Sequence, residues 1–365
     1  MRPQSIGIRG AGLSGMSVAR ELLAVDPNLR ITIFDRRPRV PHPQRTFCFF
    51  KSPQTSLPCC SFASWQNVMF RGASFERRID VSSSPYTMIR GDDFFDHTLN
   101  ELESSGVSFH WGCKEVSLAG ESITANGEVY SFDAVIDAAF EASESHSIMW
   151  QSFAGVWVTS ETPLFDPSIA TLMDLQHSSH EAPVSFLYVL PTSEHTALLE
   201  HTTFSPTPLS QEYHLQRCSL WLKQHARGNV SLGETEHGVI PMGLHLPRER
   251  RATLVGSAAG MIRPATGYAF LATQEHARHV AQYLVHNTSK APRPHPWWLT
   301  MADSVFLRAL NAAPEQGQLL IEGLLSRSRA DALISFLAGS ATFTDALSVW
   351  LSVPKCTMIR SLIRV

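Results

Sequence analysis

A short apolar stretch, Ile6-Gly7-Ile8-Arg9, runs into Gly10-Ala11-Gly12-Leu13-Ser14-Gly15, and a helical pattern through Met16, Ala19, Leu22 and Leu23 follows. Ile31-Thr32-Ile33-Phe34 then reads as a second strand that ends in Asp35. Strand, glycine turn, helix and strand in this order point to a βαβ unit. The three glycines act differently. Gly10 allows the tight turn, Gly12 lets the backbone approach a pyrophosphate, and Gly15 lets helix and strand pack closely. The unpaired N–H groups of the helix start attract the phosphates. Asp35, twenty residues beyond Gly15, is placed to hydrogen-bond ribose hydroxyls. A dinucleotide is the expected ligand of this segment.

The 365 residues suggest two or three lobes. Hydrophobic residues make up 44% and charged residues 17%, which suits a folded chain with a large interior rather than a disordered one. A net charge of −3 offers no general attraction for phosphate backbones, so nucleic acid is not an expected partner. No apolar run approaches the roughly 20 residues of a spanning helix. With Ser5–Arg9 already a strand, a secretory signal has no room, and the expected location is cytoplasmic. Cys48, Cys59, Cys60, Cys113, Cys218 and Cys356 form no C-x-x-C pair and read as reduced core thiols. His177/His180 beside Glu181, and His276/His279, lack a convincing third ligand, so no metal is expected.

The glycine motif does not choose between NAD and FAD. The rest of the chain favours FAD. A second strand-and-turn segment, Ala252-Thr253-Leu254-Val255-Gly256-Ser257-Ala258-Ala259-Gly260, leads through Pro264 and Gly267 into a helix from about Tyr268 to His286. Ala134–Ala139 is another buried strand. Return of the chain to complete a cofactor site is a habit of large FAD-binding folds. The expected fold is α/β, with a Rossmann-like FAD-binding domain, an antiparallel-sheet substrate domain and a C-terminal helical region. The expected boundaries are 1–50, 85–149 and 248–290 for the first, 51–84 and 150–247 for the second, and 297–365 for the third.

The 150–247 region is strand-like, as in Phe153–Val158, Val184–Leu190 and Ala197–Phe204. Alternation puts Leu198, Glu200, Thr202 and Phe204 on one face. Glu200 interrupts that apolar face, where an unpaired carboxylate is costly. Either the face is solvated, or Glu200 has an ion-pair partner, or the carboxyl has a function. Helical spacing recurs over Trp297–Asn311, Glu315–Ser326, Ala330–Ala338 and Asp345–Ser352, after a proline-rich linker at Ser289–Pro296.

Several segments together resemble the lycopene cyclase family, flavoproteins that close rings at the ends of linear carotenoids. They are Arg45-Thr46-Phe47-Cys48-Phe49-Phe50, Tyr86 to Phe95 with Arg90-Gly91-Asp92 at its centre, and Phe165-Asp166-Pro167 through Asp174. Tyr188-Val189-Leu190-Pro191, Leu199-Glu200-His201-Thr202 and Gly238-Val239-Ile240-Pro241-Met242 follow in family order. Gly260-Met261, Pro264-Ala265-Thr266-Gly267-Tyr268 and Phe336-Leu337-Ala338-Gly339 close the pattern. The resemblance implies FAD held in reduced form, with NAD(P)H serving only as reductant. It implies cofactor contacts at Gly10, Ala11, Gly12, Leu13, Ser14, Gly15, Asp35, Arg36, Arg45, Arg90, Gly256, Met261, Thr266 and Gly267. The family's glutamate falls on Glu200, which makes it the expected acid/base, and Asp174 is the expected supporting acid or hydrogen-bond partner. Phe47 and Phe50 stand where members usually have tryptophan, and Ala138-Ala139-Phe140 where they often carry a basic residue. These departures allow a shorter prenyl substrate.

The implied reaction is an isomerisation. A terminal alkene of a linear isoprenoid such as lycopene is protonated, an internal double bond attacks the tertiary cation, and a proton leaves. Alkenes are very weak bases, so the acid must be neutral, dry and close, and burial supplies neutrality by disfavouring the carboxylate. Water must be kept from the cation. A redox flavoenzyme such as a hydroxylase or isoprenoid reductase, and a non-catalytic carotenoid-binding protein, are the rival classes. A substrate confined to bilayers also implies peripheral membrane contact, for which the tail offers Met358, Ile359, Leu362 and Ile363 with Lys355, Arg360 and Arg364.

Overall fold

The computed structural model describes residues 3–39, 45–51, 61–139, 147–177, 181–243, 253–288 and 295–353. The tail 355–365, His180, Phe140, Cys59, Cys60, Cys356 and linker residues 289–294 lie outside the described residues.

The chain is α/β. A five-stranded parallel sheet has the order Thr253–Leu254, Ala134–Asp137, Ser5–Arg9, Arg30–Phe34, Ser108–His110. Ser5–Arg9 lies near its centre with Ile6 and Ile8 fully buried, as a strand covered on both faces requires. Helices Leu13–Val25, Gly91–Ser104 and Phe270–His286 contribute Met16, Leu22, Phe94, Leu99, Ala277 and Val280 to the same core. Val116–Ala119, Ser122–Ala125 and Glu128–Ser131 form a small antiparallel meander beside it, a feature that the sequence pattern does not announce.

A seven-stranded sheet forms the second layer, in the order Val230–Met242, Met149–Ser160, Thr196–Ser205, Val184–Pro191, Ile169–Asp174, Asn67–Gly72, Phe75–Asp80. Its pairings are antiparallel except that between Ile169–Asp174 and Asn67–Gly72. The side chains of Leu198 and Phe204 share one core with the C-terminal helices, while Leu199 packs on the other face. The period-2 alternation of the sequence thus separates two cores.

The second face is covered by helix Gln211–His225, which interrupts a region whose composition reads as strand throughout. Ser210 caps it by accepting the Tyr213 N–H at 3.2 Å, and Cys218, Trp221 and Leu222 are buried against the sheet. Trp297–Ala312, Gly317–Arg327, Ala330–Ala338 and Phe343–Ser352 form the C-terminal helical layer. No single helix among the described residues is long and apolar enough to cross a membrane; one pair, Ala330–Ala338 and Phe343–Ser352, passes by composition but bends by 112°.

A three-stranded sheet, Thr46–Phe50, Tyr86–Arg90, Ala63–Trp65, links the two large sheets. Its Phe49 belongs to the parallel-sheet core, whereas Phe50, Trp65 and Tyr86 belong to the other.

Candidate functional site

Gly10 adopts φ 102°, a conformation costly to any side chain, and its N–H donates to the Phe34 carbonyl at 2.7 Å. A methyl group at Gly15 would collide with the Gly10 carbonyl, so helix and turn approach as closely as backbone permits. Gly12 is different: the nearest atom to a β-carbon there is Arg37 Nη2 at 3.7 Å, leaving its approach open. Gly12 also stands at the N-cap of Leu13–Val25 without a capping side chain, and no acidic residue occupies the first turn. The helix-start N–H groups therefore remain available for an anion.

Asp35 sits at the end of the neighbouring strand and lines a cleft of about 310 Å³ with Arg9, Gly10, Gly12, Arg36 and Arg37. It accepts the Ala11 N–H at 2.7 Å and the Arg37 guanidinium at 3.0 and 2.7 Å. Burial works to raise its pKa, but the Arg37 and Ala11 donors outweigh it and hold the carboxyl below its usual range.

A second cavity, of about 340 Å³, begins at Leu13 and extends past Thr266–Phe270 to the large sheet. Glu200 opens onto it and is otherwise enclosed. Glu236, from the edge strand Val230–Met242, opens onto it as well and is 4% exposed. Gly155 lies between them: the register pairs it with Glu200 on one side and Glu236 on the other. A β-carbon at Gly155 would stand 3.3 Å from Glu200 Cβ and 3.3 Å from Glu236 Cγ, so the missing side chain is what lets the two glutamates converge. Thr46 donates to Glu236 Oε1 at 2.9 Å and Thr202 to Glu200 Oε1 at 3.2 Å. Burial pushes the Glu200 carboxyl well above the usual carboxylate range, and the hydrogen-bonded neighbour Glu236 pushes it further. Burial also raises Glu236, and Thr46, Glu200 and Arg45 offset this only in part, so it stays above its usual range but is less strongly favoured in its neutral form than Glu200.

Aromatic groups make the remaining walls. Phe47 packs on Phe270 with ring centroids 5.1 Å apart, and the Tyr86 and Tyr268 hydroxyls are 3.3 Å apart. Burial raises all three cavity tyrosines, Tyr86, Tyr188 and Tyr268, with Tyr268 at about 12, so they face the cavity as neutral phenols. Tyr188, Thr266 and Tyr268 also line a further, strongly apolar cavity of about 70 Å³. This one lies between the sheet and the C-terminal helices, against Phe70, Phe186, Phe204, Phe306 and Phe336.

Two features test the fit of a planar heteroaromatic cofactor. Gly256 (φ 67°) and Gly267 (φ 71°) hold left-handed turns in which a β-carbon would strike the Ser14 hydroxyl and Gln151 Oε1 respectively. Gln151 Oε1, buried in the wall of the Glu200 cavity, has no hydrogen-bond partner. Such an acceptor is costly unless a ligand N–H meets it. The residues fit the group.

The remaining expected site residues divide. Leu13, Arg45, Thr266 and Gly267 line the Glu200 cavity, and Met261 is buried with its N–H donating to the Gly256 carbonyl at 3.2 Å. Arg90 stands at the rim, engaged by Asp92 at 2.8 Å and Glu234 at 3.1 Å. Asp174 is not brought to Glu200. The register carries Asp174 to Leu187 and Leu187 to His201, a row that faces helix Gln211–His225, and its carboxylate accepts the Gln176 N–H at 3.0 Å. Glu236, Gln151 and Gly155 join the site without having been expected there. The signal for Glu236 is the Gly238-Val239-Ile240-Pro241 motif just after it, but no alternation marks Glu236 itself as internal. Among the described residues, no group of His, Cys, Asp or Glu is arranged to hold a metal ion.

The family description "Lycopene cyclase protein" matches residues 6–363, nearly the whole chain. The chain belongs to the lycopene cyclase family. Lycopene beta cyclase of Nicotiana tabacum is 24% identical over 311 residues, covering 77% of this chain and 60% of that protein. The Narcissus pseudonarcissus enzyme is 28% identical over 229 residues, covering 56% and 46%. This lycopene cyclase family member thus spans about 60% of the length of the curated relatives it matches first. Among solved structures it is similar to a geranylgeranyl bacteriochlorophyll reductase-like protein from Thermoplasma acidophilum, with TM-score 0.57, 14% identity and 99% of each chain covered. It is also similar to CtdE, solved in complex with FAD and a substrate, with TM-score 0.55, 13% identity and 98% and 97% covered. These likenesses establish the fold.

Proposed function

We propose that this chain is an FAD-dependent cyclase that protonates the terminal alkene of a linear isoprenoid, lycopene or a chain of its kind, and closes a cyclohexene ring. The observation that carries the reading is Glu200: an enclosed carboxyl facing an aromatic-walled cavity that begins at the glycine turn, with burial pushing it well above the usual carboxylate range. Membership of the family and the names of the curated relatives support the substrate class.

Gly10–Gly15 and the helix start would hold the pyrophosphate and Asp35 the ribose, while Leu13, Arg45, Gly256, Met261, Thr266, Gly267 and Gln151 would border the ring system. Reduced FAD, with NAD(P)H serving only to keep it reduced, would supply negative charge beside the developing cation. The protein's own groups do the rest. Glu200 gives its proton to the alkene terminus, and Phe47, Phe153, Tyr86, Tyr188 and Tyr268 exclude water and offer ring faces to the cation. The apolar cavity behind Tyr188 and Tyr268 suits the hydrocarbon that follows the reacting end. A bilayer is the proposed source of such a substrate. Phe343, Leu347 and Leu351 form an exposed stripe on the same helix whose Trp350 lines the apolar cavity.

The test is anaerobic incubation with reduced FAD and a panel of linear polyenes, read by mass spectrometry for cyclic products of unchanged mass. Glu200→Gln keeps the shape and removes the transferable proton, so turnover should fall at least about 100-fold while FAD stays bound. Near-normal turnover in this variant, or NAD(P)H consumption matched to product, would overturn the reading.

A further inference from the structure

We propose that Glu200 and Glu236 share one proton and act as a single acid–base unit, in which Glu236 is the charged member that keeps the proton on Glu200. This rests on the cyclase reading above.

The geometry of the unit is set by strand register. Glu200 and Glu236 flank Gly155 on its two neighbouring strands, and both carboxyls open onto the same cavity. Two carboxylates this close and this buried do not both ionise, so one proton is held between them and they titrate as a pair. Their surroundings are unequal. Glu236 receives the Thr46 hydroxyl at 2.9 Å and faces Arg45, which favours its charged form. Glu200 has Thr202 at 3.2 Å and otherwise faces Cys48, Tyr188 and Tyr268, with Tyr86 on the wall of the same cavity and Cys218 packed beneath its strand. Burial raises each of these thiols and phenols, so none supplies a charge near pH 7. Arg90 faces away to Asp92 and Glu234 at the rim.

The balance of the reaction follows. The O–H bond of Glu200 breaks as a C–H bond forms at the alkene terminus, leaving two carboxylates beside a carbocation. The internal double bond forms the ring C–C bond. A ring C–H bond then breaks, its electron pair becomes the new double bond, and its proton returns to the pair. One proton leaves and one returns, with no oxidant, reductant or external base consumed in the step.

Infrared difference spectroscopy of the purified holoprotein in H2O and D2O tests the shared proton through the C=O stretch of a protonated carboxyl, followed as a function of pH. Wild type should show one such carboxyl at pH 7. Glu236→Gln removes a like charge, so the band should vanish at a pH lower by about one unit or more. Glu236→Asp keeps the charge and should restore most of that shift. Glu200→Gln should abolish the band at pH 7, because Glu236 then ionises beside Thr46 and Arg45. In the isomerisation assay, the high-pH limb of Glu236→Gln should move down with the band. An unmoved midpoint in Glu236→Gln, or an unmoved kinetic limb with wild-type turnover, would overturn the proposal. If wild type isomerises no polyene while the band behaves as stated, the cyclase reading fails and the shared proton stands.

Discussion

Arg263 and Asp303 form an ion pair whose side chains are each 1% exposed. The guanidinium donates to both Asp303 oxygens, at 3.1 and 3.3 Å, and to the Phe336 carbonyl. It also lies 4.3 Å from the centroid of the Phe336 ring. Three elements thereby meet on one side chain: the turn after Gly260, helix Trp297–Ala312 and helix Ala330–Ala338. Arg263→Met would leave the Asp303 carboxylate buried beside the apolar cavity it lines, with the buried His295 imidazole as its neighbour in place of a permanent cation. Breaking a buried pair by removing one partner costs about 3–5 kcal/mol. At about 1.3 °C per kcal/mol for a chain of this size, the melting temperature should fall by about 4–7 °C. Removing both charges removes the uncompensated one, so Arg263→Met/Asp303→Leu should recover most of the loss. Thermal melts followed by circular dichroism, arranged as a double-mutant cycle, measure both quantities. A single variant that loses less than about 1 kcal/mol, or a double variant whose loss equals the sum of the singles, would refute the reasoning.

Gly12→Val should purify folded but without flavin, because the space before Gly12 is open to a side chain yet needed by the phosphate; a yellow, stoichiometric preparation would contradict this. His201 and His214 share a 2.8 Å contact between their Nδ1 atoms, and burial lowers them to about 3 and about 4. The unfolded chain protonates both as pH falls through about 6.5 while the folded protein does not, so their stabilising contribution is complete above that value and declines below it. Urea unfolding at pH 7.5 and pH 5 should differ by about 2 kcal/mol per histidine from this source, and His214→Gln should flatten the dependence. Liposome flotation should recover the protein with vesicles and lose recovery on removal of residues 355–365; equal recovery of both forms would end the tail's role.

The glycine-turn half of the candidate site is legible in the sequence because its signal is local. Gly10, Gly12, Gly15 and Asp35 lie within one βαβ unit, where backbone conformation dictates residue type. Glu200 is legible because alternation on a buried strand makes a carboxyl conspicuous. Glu236 is not, since Glu234-Thr235-Glu236-His237 reads as a solvated edge, and only pairing with Gly155 brings it inside. Asp174 fails for the converse reason: its motif context is right, but strand register turns it to the opposite face. Helix Gln211–His225 is lost among strands because its packing on the sheet, not a strong apolar stripe, holds it in place. Arg263 and Asp303 are 40 residues apart, beyond the reach of any spacing rule.

Gly155 carries neither a charge nor a proton, yet it governs how strongly two acids feel one another. A single methyl group there would press on both glutamates at once and on Leu198, whose Cδ1 would stand at 3.1 Å. The proton affinity of the cavity is therefore adjustable through bulk alone, at a position where no titratable group would be gained or lost. A lineage that widened or closed this gap would acquire a weaker or stronger acid while every acidic residue stayed in place.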